Sequence, residues 1–180
     1  MDAEADREGL RRRVFAMPFL ERNFLQRQIA AELSKRDILL LHGSAVALHG
    51  RGYLFVAGCG TGKSTHARLW RETLGAQCVN DDKPFLRLEE AGVWLCGSPW
   101  RGKHGLGENI SVPLAAICCL ERGEENAVTP LPADPSLLLP YITDPDSAPL
   151  LTRLVGQIPL WRLQCTPTAS AALACYEAVK

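Results

Sequence analysis

A glycine-rich stretch at residues 57–65, AGCGTGKST, is the first place where the sequence could do chemistry. Glycines let successive backbone N–H groups converge on phosphate oxygens without interference from a Cβ atom. Lys63 could reach the outer phosphates of a nucleotide, and Ser64 could bind Mg²⁺. We therefore predict that ATP or GTP binds with Mg²⁺ through eight consecutive residues. These are Gly58, Cys59, Gly60, Thr61, Gly62, Lys63, Ser64 and Thr65.

Ala57 stands where the pattern G-x-x-x-x-G-K-[ST] has its first glycine. Alanine carries the smallest Cβ, so a backbone that is not left-handed at this position would accept it. Gly58, its neighbour, could take up some of the conformational demand. Nucleotide binding is therefore expected to tolerate the exchange more easily than fast turnover does.

Two adjacent carboxylates, Asp81 and Asp82, follow Lys63 by eighteen and nineteen residues, at the end of the next predicted strand. If that strand lies beside the one before the glycine-rich stretch, both carboxylates lie close to the start of the following helix. As a hypothesis, Asp81 is the general base and Asp82 the main metal ligand, although the two roles could be reversed. The alternative is that Asn80, Asp81 and Asp82 merely form a turn before Lys83.

The elements that position these residues can be predicted from hydrophobic spacing and from glycine and proline. We expect helices over residues 19–36, 63–74 and 168–179, and prolines between 130 and 149 predict short helices. Three short strands are expected within 38–57, and further strands over 76–80, 84–88, 93–97, 114–121 and 158–165. Residues 98–113 are expected to form a long loop. The pattern indicates a single α/β domain.

Composition excludes several classes of protein. Twenty Lys and Arg balance twenty Asp and Glu, so no basic surface indicates a nucleic acid or an anionic membrane as partner. No apolar run is long enough to span a membrane, and the first residues do not form a secretory signal, so we expect a cytoplasmic protein. Residues 1–18 are predicted to be flexible or weakly packed, with a charged tail or face at residues 11–13.

Seven cysteines occur mostly within apolar runs and form no Cys-x-x-Cys pair, so buried reduced thiols are expected rather than a zinc site. Cys59 is the exception, because it lies in the glycine-rich stretch beside Lys63 and a helix start. We expect it to be the most reactive of the seven thiols. His66, in the helix after the stretch, is predicted to be exposed, whereas Trp94 and Trp100 are predicted to pack.

The ordered set LHGSAV, GTGKST and CVNDD resembles the catalytic domain of HPr kinase/phosphorylase. That family shares a fold core with ATP-dependent phosphoenolpyruvate carboxykinase. With GSPWRGK and SVPLAAICCL included, the chain is more similar still to small stand-alone bacterial homologues of that kinase or of the carboxykinase, over about residues 38–120. The resemblance implies a P-loop domain with a mixed β-sheet, Mg²⁺-dependent transfer of phosphate to a serine hydroxyl, and a peptide or protein as acceptor. His42, in the dipeptide His42-Gly43, would by resemblance lie near the metal and the γ-phosphate.

A loop with three cationic side chains could close over the phosphates or receive the substrate. These are Arg101, Lys103 and His104, although a solvated basic loop is an equal alternative. Three functions stay open: a kinase acting on a hydroxyl, a nucleotide sensor or partner protein with degenerate catalysis, and a small-molecule kinase or carboxykinase-like lyase. Self-association also stays open.

Overall fold

A computed structural model describes residues 19–180 of the chain. The predicted flexible segment and the three arginines at 11–13 lie outside the described residues. No helix within 19–180 is long and apolar enough to cross a membrane.

The described chain alternates strands with a small number of helices. The helices are α1 (Phe19–Ser34), α2 (Lys63–Leu74), α3 (Ala148–Val155) and α4 (Ala169–Val179). The strands are β1 (Ile38–Leu40), β2 (Ser44–Leu48), β3 (Arg51–Val56), β4 (Gln77–Asn80), β5 (Phe85–Glu89), β6 (Gly92–Cys96), β7 (Ser111–Arg122), β8 (Ala127–Leu131) and β9 (Leu160–Cys165). Short 3₁₀ turns at Pro135–Leu137, Leu139–Tyr141 and Pro145–Ser147 fulfil the prediction for the proline-rich segment.

The strands form one mixed sheet in which β1, β5, β6, β7, β3, β2 and β4 are successive neighbours. Strand β7 runs parallel to β3 and to β9, and β8 pairs with β9 at an edge. Strand β2 lies between β3 and β4 and is antiparallel to both. The expectation that β3 and β4 are adjacent is therefore wrong. They still run in the same direction, so their carboxyl ends both lie opposite the start of β2.

Side chains of the central strands alternate between two apolar layers, as the pleat of a strand requires. In β3, Leu54 and Val56 belong to the layer that α3 covers, whereas Tyr53 and Phe55 belong to the layer under α2 and α4. Trp70 of α2 is fully buried in the second layer, with its ring centroid 4.8 Å from that of Tyr53. This packing fixes α2, and with it the loop before α2, against the sheet.

Two strands differ from the prediction. Strand β7 is longer than expected, because it begins at Ser111 and continues to Arg122. Strand β8 was not predicted at all: it is mostly exposed, and Pro130 lies within it. Because β8 pairs with β9 alone, a residue that lacks an N–H group is tolerated there.

Candidate functional site

The glycine-rich loop joins β3 to α2 and presents backbone to solvent. Gly60 has φ +76° and Gly62 has φ +124°, conformations that a side chain would strain. Among the described non-glycine residues, positive φ occurs at Asp37 and His49, so Ala57 does not have it. Ala57 therefore meets the condition, a backbone that is not left-handed, under which alanine was expected to fit there. Helix α2 has no side-chain N-cap, so its first N–H groups are open to an anion.

Lys63, the first residue of α2, folds back over the loop. Its Nζ atom donates to the carbonyl oxygens of Ala57 at 2.9 Å and Gly58 at 3.3 Å. Burial lowers the pKa of Lys63 below its ordinary value, although the nearby Asp82 opposes this shift. The two bonds hold the side-chain amino group of Lys63 at the loop. Because both acceptors are neutral carbonyls, an anion bound at the loop would be a stronger partner for it.

Arg122, the last residue of β7, braces the loop from the side. Its Nη2 atom donates to the carbonyl of Gly60 at 2.6 Å, and its Nε atom donates to that of Thr61 at 3.4 Å. Reasoning from sequence did not identify this residue. Its contact with the loop depends on β7 lying beside β3 and parallel to it, so the residue could be identified only once that strand order was known.

Asp82 lies between two cationic or ionisable groups. Its Oδ1 atom is 3.2 Å from Nδ1 of His42, and its Oδ2 atom accepts from Nζ of Lys83 at 2.8 Å. Burial alone would raise the pKa of Asp82, but the hydrogen bond from His42 and the charge of Lys83 lower it to about 2. The carboxylate therefore stays ionised at every physiological pH.

Asp81, one residue earlier, has a different environment. It is 8% exposed, and its two oxygens accept hydrogen bonds from backbone N–H groups, from Gly102 at 2.7 Å and from Leu106 at 3.3 Å. Both bonds tie residues 102–106 to the end of β4. Asp81 thus anchors the long loop rather than projecting freely.

Asn80 completes this arrangement from inside the protein. Its Oδ1 atom accepts from the backbone N–H groups of Asp82 and Lys83, at 2.9 and 2.7 Å, and its Nδ2 atom donates to the carbonyl of Trp100 at 3.1 Å. The turn that was the alternative explanation for the Asn-Asp-Asp triplet is therefore present. The same turn places Asp82 at the cavity that the glycine-rich loop also lines.

These groups surround one cavity of about 660 Å³, which we call the loop cavity. Its loop wall runs from Cys59 to Thr65, without Thr61, and on into α2. Its carboxylate wall consists of His42, Asp81 and Asp82 with Gly102, Lys103, His104 and Leu106. Lys103 and His104 line the cavity, whereas Arg101 does not. The Nη1 atom of Arg101 donates instead to the carbonyl of Gly105 at 2.9 Å, inside its own loop.

Three further residues line the loop cavity although the sequence did not single them out: Arg68, Arg71 and Cys78. Arg68 and Arg71 lie on α2, one turn apart, on the side that faces the cavity. Helical spacing from Ser64, four residues to Arg68 and seven to Arg71, would have placed them there, had the orientation of the helix been known. Arg71 adds positive charge to a site that already contains Lys63, whereas Arg68 is paired with Glu72 at 2.8 Å.

The donor atoms fit a magnesium ion that arrives with a nucleotide. Mg²⁺ is typically held by one or two carboxylates together with water and phosphate oxygens, and Ser64 and Asp82 line the same cavity. Within residues 19–180 no group of three or more His, Cys, Asp and Glu side chains could bind a metal by themselves.

His66 is not exposed, contrary to the prediction. It is 2% exposed, its Nε2 atom accepts from Nε1 of Trp70 at 3.0 Å, and its ring meets Phe55 edge to face. Burial lowers the pKa of His66 to about 4, so the ring is neutral. The four-residue spacing between His66 and Trp70 could have indicated this shared, buried face. Trp100 is buried against Phe85, in agreement with its predicted packing role.

Comparison with known proteins adds little to this description. No family model and no curated protein matches the chain. Among solved structures, it is similar to the "Hpr(Ser) kinase/phosphatase from Coxiella burnetii", with 14% sequence identity over 78% of this chain and 87% of that chain. The TM-score is 0.48. So distant a likeness says nothing about activity, which must be argued from the site itself.

Proposed function

We propose that the chain is a P-loop kinase that transfers the γ-phosphate of ATP or GTP to a hydroxyl group, with serine of a peptide or protein as acceptor. One observation carries the proposal: the loop wall and the carboxylate wall face each other across a single cavity. Lys63 and Ser64 lie on one side, and Asp82 with His42 on the other. Phosphoryl transfer needs this combination of positioning and charge stabilisation more than it needs covalent chemistry.

In this proposal the phosphates lie over residues 58–65, bound by backbone N–H groups and by Lys63. Arg71 would attract the polyphosphate into the cavity, and Arg68 could join it by leaving its partner Glu72. The base would enter a second space behind the loop, the rear cavity, of about 350 Å³. Leu69, Cys165 and Pro167 give the rear cavity apolar surface, and it shares Gly62 and Thr65 with the loop cavity. Nothing in its lining distinguishes adenine from guanine.

The reaction would proceed by attack of the acceptor oxygen on the γ-phosphorus. The new P–O bond forms as the bond from the γ-phosphorus to the β-phosphate bridging oxygen breaks, and ADP or GDP leaves. Mg²⁺, held by Ser64 and Asp82, would neutralise phosphate charge. The low pKa of Asp82 suits a metal ligand better than a base. Asp81 would take the hydroxyl proton, and to do so it would give up one of its bonds to the backbone N–H groups of Gly102 and Leu106.

The test is transfer of labelled γ-phosphate from ATP to a pool of serine-containing peptides, with free serine and oxaloacetate as competing small molecules. We expect label in peptide with the wild type and with Lys180→Ala, a distant exposed lysine, and little label with Lys63→Ala. Turnover of a free metabolite with no label in peptide would favour the small-molecule kinase or lyase. Nucleotide binding without any turnover would favour the sensor.

A further inference from the structure

A cavity of about 450 Å³ lies on the other side of His42, between α1 and the segment that follows the second 3₁₀ turn. We call it the α1 cavity. Phe24 and Arg27 of α1 line one side, and Lys83, Tyr141 and His42 line the other. Because His42 lines the loop cavity as well, the two cavities meet at this side chain. A ligand in the α1 cavity would therefore approach the carboxylate wall from outside.

Backbone hydrogen bonds fix the floor of the α1 cavity. The N–H group of His42 donates to the carbonyl of Tyr141 at 2.7 Å, and that of Thr143 donates to the carbonyl of Leu40 at 3.0 Å. Ile142 forms an antiparallel bridge with Leu41. Residues 141–143 thus extend the sheet beyond β1, and they hold Tyr141 beside the histidine that contacts Asp82. The cavity needs no rearrangement to exist.

His42 is the side chain that the two cavities share, and Asp82 lies next to it on the loop-cavity side. His42 holds one of its oxygens and Lys83 the other; Lys83 lines the α1 cavity, whereas Asp82 itself lines the loop cavity. In the proposed kinase, an acceptor hydroxyl that enters the α1 cavity beside His42 would approach the nucleotide phosphates in the loop cavity from the side of Asp82. The sequence suggested the long loop at residues 98–113 as the place where the substrate docks. Its side chains Lys103 and His104 line the loop cavity, where the nucleotide is proposed to bind, and not the α1 cavity.

The lining of the α1 cavity indicates what it would bind. Arg27 and Lys83 bring positive charge, and none of the described lining residues is a carboxylate. Lys83 is already paired with Asp82, so Arg27, which is exposed on α1, is the cation available to an incoming group. Phe24 is 67% exposed at the rim, and Leu20, one turn earlier on α1, is also exposed. This apolar strip continues the cavity along the helix, which suits an extended chain better than a compact metabolite.

We propose that the α1 cavity is the acceptor site, and that it takes a peptide segment in which the reacting serine has an acidic residue close to it. The acidic side chain binds Arg27, and an apolar side chain of the peptide lies on Phe24 and Tyr141. This inference rests on the proposed kinase function and specifies its substrate class.

The experiment compares matched peptides that contain one serine and carry either Glu or Gln at a neighbouring position, with labelled ATP as donor. Variants Arg27→Glu and Phe24→Ala are compared with Arg36→Ala, an exposed arginine after α1 that lines neither cavity. We expect the wild type to prefer Glu peptides, and Arg27→Glu to raise their KM by about tenfold or more while the Kd for Mg²⁺-ATP stays unchanged. Peptides with Lys in place of Glu should regain affinity for Arg27→Glu.

The outcomes separate the two proposals. If peptides are phosphorylated but Arg27→Glu and Phe24→Ala leave KM and the preference for Glu unaltered, the acceptor site is elsewhere and the kinase stands. If Lys103→Ala alters KM for the peptide while both α1 variants do not, the long loop is the docking place. If the wild type binds nucleotide but phosphorylates no peptide, the proposed function and the acceptor site both fall.

Discussion

The two walls of the loop cavity are built in different ways. The loop wall comes from one continuous stretch of chain, from Cys59 into α2, whose conformation is set by its own glycines and by the start of the helix. The carboxylate wall is assembled from three separated segments: the turn after β1, the end of β4 and the long loop before β7. Its side chains are held in place by one another, with His42 and Lys83 on Asp82 and the backbone of Gly102 on Asp81. The first wall is a local structure and the second is a product of topology.

The largest effect should follow a change at the centre of the carboxylate wall. Asp82→Asn removes a charge from the proposed metal site, so we expect turnover to fall by about a hundredfold or more while the protein stays folded. Asp146→Asn, an exposed carboxylate in a 3₁₀ turn, is the control. If Asp82→Asn turned over at the wild-type rate, Asp82 would have no role in a metal site and would only form part of the turn.

A companion variant, Asp81→Asn, separates the role of Asp81 as the anchor of the long loop from the proposed metal-binding role of Asp82. An amide NH₂ would face one of the two backbone N–H groups that now bind the carboxylate, so hydrogen exchange should accelerate at Gly102 and Leu106 in this variant and not in Asp82→Asn.

A second prediction concerns the helix that supports the loop wall. The pKa of His66 is about 4 in the fold against an ordinary 6.5, so the unfolded chain binds the extra proton as pH falls below 6.5. The stability that this group contributes is therefore fully present well above pH 6.5 and is lost on acidification, by about 2 kcal/mol in all when pH 5 is reached. Denaturant unfolding at several pH values checks this. His66→Gln should lack that loss and His104→Gln should retain it; an identical pH dependence in all three proteins would contradict it.

A third prediction tests whether the loop wall is covered by ligand. Cys59 is exposed, whereas Cys78, Cys118, Cys165 and Cys175 are buried. Burial raises the pKa of Cys78 and of Cys165 to about 11, which leaves them unreactive. Alkylation mapped by mass spectrometry should label Cys59 first. Mg²⁺-ATP at ten times its Kd should slow this labelling about tenfold. Faster labelling of another cysteine, or no protection, would argue against phosphates above the loop.

The smallest effect should come from the brace on the loop wall. Arg122→Ala removes two hydrogen bonds to loop carbonyls, at Gly60 and Thr61, and should raise the Kd for nucleotide a few-fold. Arg162→Ala, on the adjacent strand β9, should not. A lower melting temperature with an unchanged Kd would show that Arg122 supports the fold alone.

The contrast between the walls also explains which features the sequence could predict. The loop, helix α2 and most strands depend on neighbouring residues, so glycine positions and apolar spacing were sufficient. Arg122 and the α1 cavity were missed because they arise from contacts between segments far apart in sequence. The position of β2 between β3 and β4 was missed for the same reason, since a local pattern does not determine the order of strands.

The burial of His66, which was predicted to be exposed, does have a local signal in the sequence. His66 is four residues before Trp70, so one face of α2 must bury both or neither. Strand β8 gives no such signal, because it is exposed, contains a proline and is specified by its pairing with β9.

The central claim is that the loop wall binds the phosphates of a nucleotide, and calorimetric titration with Mg²⁺-ATP and Mg²⁺-GTP tests it most directly. Lys63→Ala is compared with the wild type and with Lys180→Ala as the matched control. We expect saturable binding to the wild type and to Lys180→Ala, and a Kd raised by about tenfold or more in Lys63→Ala, because the ammonium group contributes a charge-assisted bond to phosphate. Equal affinities in all three proteins, or no binding to the wild type, would contradict the account.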